Sequence, residues 1–147
     1  MDKVKQAVDL FKEGYSCAQA IAGAFAEEAG LSQKQAVAMA AGFGAGICAT
    51  RAICGTLTGA LMVMGLTKGW SEAEQKAYAY SEGKKLLDAF TEQFGTTTCF
   101  DLLTTAKAHF GATPMARDEA YYKTRPCAVY VAFVAEYLEK YLAISND

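Results

Sequence analysis

Residues 53–66, ICGTLTGALMVMGL, set a thiol beside two glycines four apart and then continue almost entirely in apolar residues. The run reads as the opening of a buried helix. Two threonines interrupt it, and it is shorter than the roughly 20 residues that span a bilayer. Elsewhere apolar residues recur at spacings of three and four rather than alternately, in a chain with only two prolines. The pattern predicts an all-α fold, a single-domain multi-helix bundle of about seven to eight helices occupying residues 1–147.

Capping and stop signals place the helices. Asp2 caps a first helix, with Val4, Val8, Leu10 and Phe11 on its apolar side and Gly14 at its end. Ser16 caps a second that runs to Gly30. Ser32 with Gln35 forms a capping box for a third, which stops at GFGAG, residues 42–46. Thr50 caps a fourth through Leu66, and Ser71 with Glu74 opens a charged fifth over 72–93. Thr97 or Thr98 caps a sixth containing Leu102, Leu103, Ala106 and Phe110. Pro114 opens a short seventh over 115–123, and Pro126 starts an eighth that reaches 142.

The 147 residues suit one hydrophobic core. A formal charge of −2, a pI near 5.4 and interleaved signs leave no basic stripe for nucleic acid or an anionic membrane. The charged start, MDKVKQAVDLFKEG, lacks the apolar centre of a secretory signal. The expectation is a soluble, cytoplasmic protein with no nucleic-acid partner and no membrane insertion.

Five cysteines stand at 17, 48, 54, 99 and 127. A reducing compartment disfavours a structural disulfide framework, which leaves metal binding, redox work or simple burial. With the boundaries above, Cys17 follows its cap Ser16, Cys54 lies in a first turn, Cys99 follows Thr98 and Cys127 follows Pro126. Four thiols therefore mark the starts of helices two, four, six and eight. Each begins an inward stripe: Cys17 with Ala20, Ile21 and Ala24; Cys54 with Leu57, Leu61 and Met64; Cys99 with Leu102, Leu103 and Ala106; Cys127 with Val131, Val134 and Leu138. If successive helices run antiparallel, the four starts fall at one end of the bundle and the thiols converge.

Unpaired amides and the partial positive charge of a helix start favour a thiolate. Such a site can lower a cysteine pKa from about 8.5 to roughly 3.5–7.5. Arg51 and Arg125 add positive charge nearby. Packing is the better account of any one of these cysteines taken alone, because a free thiol behaves as a small hydrophobe. Four in the same structural position argue for a functional set.

The glycines fall into two groups. Gly55 and Gly59 share a helix face and admit a second backbone, as pairs of small residues do. Gly42, Gly44 and Gly46 form a turn that lacks the GK[ST] ending of a phosphate loop and follows a helix rather than a strand. A turn beside the thiols, with its amides facing sulfur, suits them better. Tyr130, Tyr137 and Tyr141 lie along one side of the last helix, where core or homodimer packing accounts for them. His109 reads as a surface or C-terminal-turn residue.

CGTLTG at 54–59, GFGAGI at 42–47, GALMVMGL at 59–66, EGYSCAQAI around Cys17, and the later TTCFDLL and RPCAVYV together carry a resemblance. The sequence resembles the redox-active protein family labelled C_GCAxxG_C_C, with Thr56 where that motif usually has alanine. The resemblance implies that Cys17, Cys54, Cys99 and Cys127 are the family's four cysteines, with Cys48 an extra one. It also implies a redox role, and related cysteine patterns bring in an iron–sulfur centre; a C-x-x-C-H haem attachment sequence is absent.

The expected function is redox chemistry at these four cysteines, as an oxidoreductase or electron-transfer protein with an unidentified redox partner. They act either by thiol–disulfide exchange or as ligands of an iron–sulfur cluster. The alternative is a non-catalytic helical module with a structural zinc site held by the four cysteines. Gly44, Gly46, Gly55 and Gly59 are the expected cofactor-side residues around the thiols.

Overall fold

The computed structural model describes residues 2–106, 117 and 126–144. Among them it forms seven α-helices and no strand: α1 (Lys3–Lys12), α2 (Cys17–Ala24), α3 (Gln33–Met39), α4 (Gly55–Lys68), α5 (Lys76–Phe94), α6 (Cys99–Thr105) and α7 (Cys127–Ile144). The fold is all-α. Apart from Arg117, the helix expected over 115–123 lies outside the described residues, as do His109, Phe110 and Arg125.

Several helix starts follow from short side chains that accept from the first turn. Asp2 accepts from the Lys5 amide at 3.1 Å, and Ser16 with Gln19 and Ser32 with Gln35 close reciprocal capping boxes. The boundaries differ from expectation in three places. α2 ends at Ala24 rather than Gly30, the chain turning from Phe25 onward. The box before α5 pairs Glu72 with Gln75 around a 3₁₀ turn, Ala73–Gln75, so that helix starts at Lys76.

The third difference bears on the site: α4 begins at Gly55, with Cys54 as its cap, and Thr50 caps nothing. Thr50 lies in a left-handed stretch, where its hydroxyl donates back to the Gly46 and Ile47 carbonyls. Ala45, Gly46, Ile47, Cys48 and Ala49 all have φ between 50° and 71°, and Arg51 has φ 61°. Non-glycine residues are held there at a cost of roughly 1–2 kcal/mol each. Hydrogen bonds that reach back six residues, Arg51 to Ala45 at 3.1 Å and Ala52 to Gly46 at 2.8 Å, close the turn on itself. A right-handed helix cannot propagate through this geometry.

α2 is the hub. Its sequence, CAQAIAGA, is small on every side, so α1, α3, α4 and α7 all pack against it. α4 comes closest: a Cβ on Gly59 would stand 2.8 Å from the Ala18 carbonyl oxygen, and one on Gly55 3.1 Å from the Ala18 nitrogen. Ile21, Phe25, Leu57, Met64, Leu86, Phe90, Leu103, Val131, Val134 and Leu138 fill the common core. Each such side chain contributes about 1.5–3 kcal/mol on full burial. Among the described residues no helix is long and apolar enough to cross a membrane.

Candidate functional site

Four sulfurs are carried to one place by four helix starts. Cys17, Cys99 and Cys127 are the first residues of α2, α6 and α7, and Cys54 caps α4. The close α2–α4 seam brings Cys17 and Cys54 together. A second tie joins Cys54 to Cys99: Ile53 bridges to Thr98, the Cys54 amide donates to the Thr97 carbonyl at 2.8 Å, and the Cys99 amide donates to Ala52 at 2.6 Å. All four cysteines line a cavity of about 410 Å³.

The remaining wall comes from the left-handed turn and its neighbours. Gly44, Gly46, Cys48 and Arg51 line one side; Gly55, Tyr130 and Arg117 complete it. Gly44 rests on Ser16, the α2 cap, where a Cβ would fall 2.5 Å from the serine Cβ. Gly59 is not on the wall. It lies one turn along α4, against Ala18, where its lack of a side chain sets the helix spacing.

Burial, not the helix dipole, sets the acidity of the inner thiols. The Cys17 pKa stands well above its ordinary value because its thiol is hydrogen-bonded with Cys127, then because it is buried, then because three other sulfurs surround it. Cys54, 4 % exposed, is pushed up to about 12 by burial, against hydrogen bonding from Thr56 that pulls the other way. The Cys54 sulfur and the Thr56 hydroxyl are 3.0 Å apart. The lowered pKa expected from helix starts is therefore reversed at these two positions. The half-charge of a short helix is weaker than the loss of water around a thiolate.

Cys99 has a different environment. It is half-buried, and Arg51 donates from Nη1 to its sulfur at 3.8 Å. A guanidinium so placed stabilises negative charge on sulfur. Cys48 is exposed and donates its thiol to the Gly42 carbonyl at 3.3 Å.

Among the described residues, no three Cys, His, Asp or Glu side chains form a group that could hold a metal ion. The four thiols share a cavity without forming such a group.

Two residues of the site escaped the sequence. Tyr130 is 7 % exposed and faces the thiols, its hydroxyl pKa pushed up to about 12 by burial and then by Cys127 and the other sulfurs. It stands three residues after Cys127, so helical spacing from that thiol was the available signal. Arg117 had none. It arrives by tertiary packing, donating to the Phe11 carbonyl and, at 2.9 Å, to that of Tyr15, with its guanidinium 4.4 Å from the centre of the Phe11 ring.

An all-α bundle that gathers four helix-start cysteines around one cavity defines a cysteine-centred class of protein. Residues 15–141 match the family described as "Putative redox-active protein (C_GCAxxG_C_C)", and the chain belongs to that family. No curated protein and no solved structure matches the chain. The family's description carries the coarse function: a redox-active protein.

Proposed function

We propose that the pocket performs thiol–disulfide exchange. The observation that carries this reading is the gathering of the Cys17, Cys54, Cys99 and Cys127 thiols, from helix starts far apart in sequence, on the wall of one cavity, with Cys127 the strongest influence on the Cys17 thiol. Thiols that share one wall need little movement to close a disulfide. Cys99, with Arg51 against its sulfur, is the thiol best prepared to attack.

In the proposed sequence the Cys99 thiolate attacks one sulfur of an external disulfide and displaces the other as a thiolate, which takes up a proton. Cys127 attacks the resulting mixed disulfide at the Cys99 sulfur, releasing the second external thiolate. Cys17 attacks Cys127 in turn, which frees Cys99 and leaves a Cys17–Cys127 disulfide. The balance is two protein thiols oxidised for one external disulfide reduced to two thiols. The reverse sequence runs with an external dithiol as reductant. A reducing, cytoplasmic setting suits a site whose resting form is the dithiol. The arrangement of donors gives no support to the iron–sulfur or zinc readings, and no step is routed through a metal.

The test is a redox titration of the protein purified without air. Thiol counting should give a two-electron couple, peptide mapping should find the oxidised pair at Cys17 and Cys127, and Cys17→Ser or Cys127→Ser should abolish the couple. Stoichiometric iron or zinc in that preparation, or a couple that survives both substitutions, would overturn the proposal.

A further inference from the structure

Cys48 takes no part in the exchanges above, yet it lines the same cavity as the other four thiols. It is the exposed member of the five: Cys54 and Cys127 are buried, and Cys17 and Cys99 lie between the two extremes. The fifth thiol therefore stands where the cavity wall meets the surface.

That position bears on the size of what the site can act upon. An attacking thiolate must reach the disulfide sulfur itself, so access limits the rate alongside acidity. A cavity of about 410 Å³ encloses a small molecule, and a disulfide fixed in the surface of another folded protein cannot be carried into it. Such a disulfide can reach Cys48.

The backbone ties Cys48 to the attacking thiol of the pocket. Cys48 and Arg51 share the left-handed turn, and Arg51 donates to the Cys99 sulfur at 3.8 Å. The Cys99 amide donates to the Ala52 carbonyl at 2.6 Å and the Phe100 amide to that of Arg51 at 3.1 Å, so the turn and the start of α6 form one hydrogen-bonded unit. Ile47 beside Cys48 and Phe100 beside Cys99 add exposed apolar surface, of the kind that protein contacts bury. At rest the Cys48 thiol donates to the Gly42 carbonyl at 3.3 Å. A disulfide sulfur has no proton to donate, so a mixed disulfide at Cys48 gives up this bond and frees the side chain to turn toward the cavity.

We infer that Cys48 is the entry thiol for disulfides borne by other proteins, and that it hands them to Cys99. The inference rests on the exchange reading and names the class of partner for it. The Cys48 sulfur attacks one sulfur of the partner's disulfide, and the other leaves with the proton that Cys48 gives up. Cys99 attacks the Cys48 sulfur of that mixed disulfide, and the partner's second sulfur leaves with the Cys99 proton. Cys127 then attacks Cys99 and frees Cys48, and Cys17 attacks Cys127 and frees Cys99, each attacking thiol giving its proton to the leaving one. One partner disulfide becomes two thiols, Cys17 and Cys127 become a disulfide, and Cys48 and Cys99 end as they began.

The experiment offers the reduced protein, near neutral pH, one equivalent of the same reactive bond in two sizes. The small probe is dithiodipyridine; the large one is ubiquitin with a single engineered surface cysteine as its pyridyl disulfide. Peptide mapping follows the ubiquitin adduct and the Cys17–Cys127 disulfide. In the unaltered protein ubiquitin should join Cys48 and leave again as the Cys17–Cys127 disulfide forms, whereas Cys99→Ser should trap it on Cys48. Cys48→Ser should slow formation of the pocket disulfide from the ubiquitin probe by about tenfold relative to dithiodipyridine, because access alone is lost. Its redox-buffer midpoint should stay in place, since a thiol that only relays stores no electrons. Serine keeps a hydroxyl for the Gly42 carbonyl; were that variant to misfold, the rise and fall of the Cys48 adduct in the unaltered protein and its persistence in Cys99→Ser would still decide.

An unchanged relative rate in Cys48→Ser, a couple lost in that variant, or ubiquitin that never joins Cys48 or never leaves it would overturn the relay while leaving exchange standing. Failure of dithiodipyridine to produce the Cys17–Cys127 disulfide would overturn the exchange reading and the relay together.

Discussion

Thr56 is the side chain that holds Cys54 short of complete inertness. Burial raises the thiol, and the threonine hydroxyl at 3.0 Å and its backbone are the opposing influence. Thr56→Val keeps the shape and removes the hydroxyl. Alkylation of Cys54 should slow several-fold in this variant, and stability should fall by about 1 kcal/mol, the usual worth of one buried hydrogen bond. Mass-spectrometric labelling rates check the first, and unchanged or faster labelling would refute the role given to Thr56. The same thiol makes stability depend on pH. Well below pH 9 Cys54 is protonated in folded and unfolded chains alike and contributes no slope. Between its ordinary value of 9.0 and its folded value of about 12, the unfolded chain loses the proton while the folded chain keeps it. Stability must then fall as pH rises, by on the order of 1.4 kcal/mol per pH unit for this group. Tyr130, raised from 10.0 to about 12, adds a second loss that begins higher. Cys17, raised as well, adds a loss with the same onset as that of Cys54. Urea unfolding in reductant on either side of pH 9 should show the decline, and Cys54→Ala should make it shallower; a decline identical in that variant would assign it elsewhere.

Glycines on α4 separate packing from propensity within a single helix. Gly59 lies against the Ala18 backbone, and a methyl there would press on a carbonyl oxygen at 2.8 Å; nothing lies within 4 Å of a Cβ at Gly65. Gly65→Ala should therefore gain close to the full helix propensity of alanine, about 1 kcal/mol. Gly59→Ala gains the same propensity but forces α2 and α4 apart, an overpacking cost of roughly 1–3 kcal/mol that erases the gain or exceeds it. Thermal unfolding of the two variants should thus move apart, and an equal rise in both would show that the α2–α4 seam is not tight. This seam was legible in the sequence, because paired small residues at a spacing of four have one structural use. The boxes at Ser16 and Ser32 were legible as well, since each rests on residues three apart. The left-handed turn was not. Ile47, Cys48 and Ala49 carry no local preference for positive φ, and Thr50 has the chemistry of a cap. What holds them is tertiary: Arg51, Ala52 and Cys54 pair through their backbones with residues 97–100, and the chain between must turn the disfavoured way to reach that register. The same long-range pairing moved the start of α4 past Thr50 to Gly55. Convergence of Cys17, Cys54, Cys99 and Cys127 could be anticipated from helix order, whereas Arg117 depends on contacts with α1 that no spacing encodes.

At the scale of the whole chain, the proposed disulfide joins the start of α2 to the start of α7 and so closes nearly all of the bundle into one covalent loop. Cross-linking over about 100 residues removes up to about 4.7 kcal/mol of conformational freedom from the unfolded chain, and native strain lowers the realised gain to a typical 2–4 kcal/mol. The oxidised protein should therefore unfold at distinctly higher urea than the reduced one at neutral pH. Thermodynamic linkage makes this a statement about potential as well. Whatever stabilises the fold when the bond is present also stabilises the bond when the fold is present, and for a two-electron couple each 1.4 kcal/mol corresponds to about 30 mV. The folded pair should hence be harder to reduce than the same two cysteines in the unfolded chain, by the amount that urea unfolding reports. Measuring both sides closes the cycle: unfolding free energies of the two redox forms on one side, the redox-buffer midpoint with and without denaturant on the other. The two must agree for any single disulfide, so disagreement would show that more than one pair titrates, and Cys17→Ser and Cys127→Ser, each removing the extra stability of the oxidised form, assign the couple to this pair. If instead the oxidised form keeps its extra stability in both variants, the two-electron store is a different pair among the four.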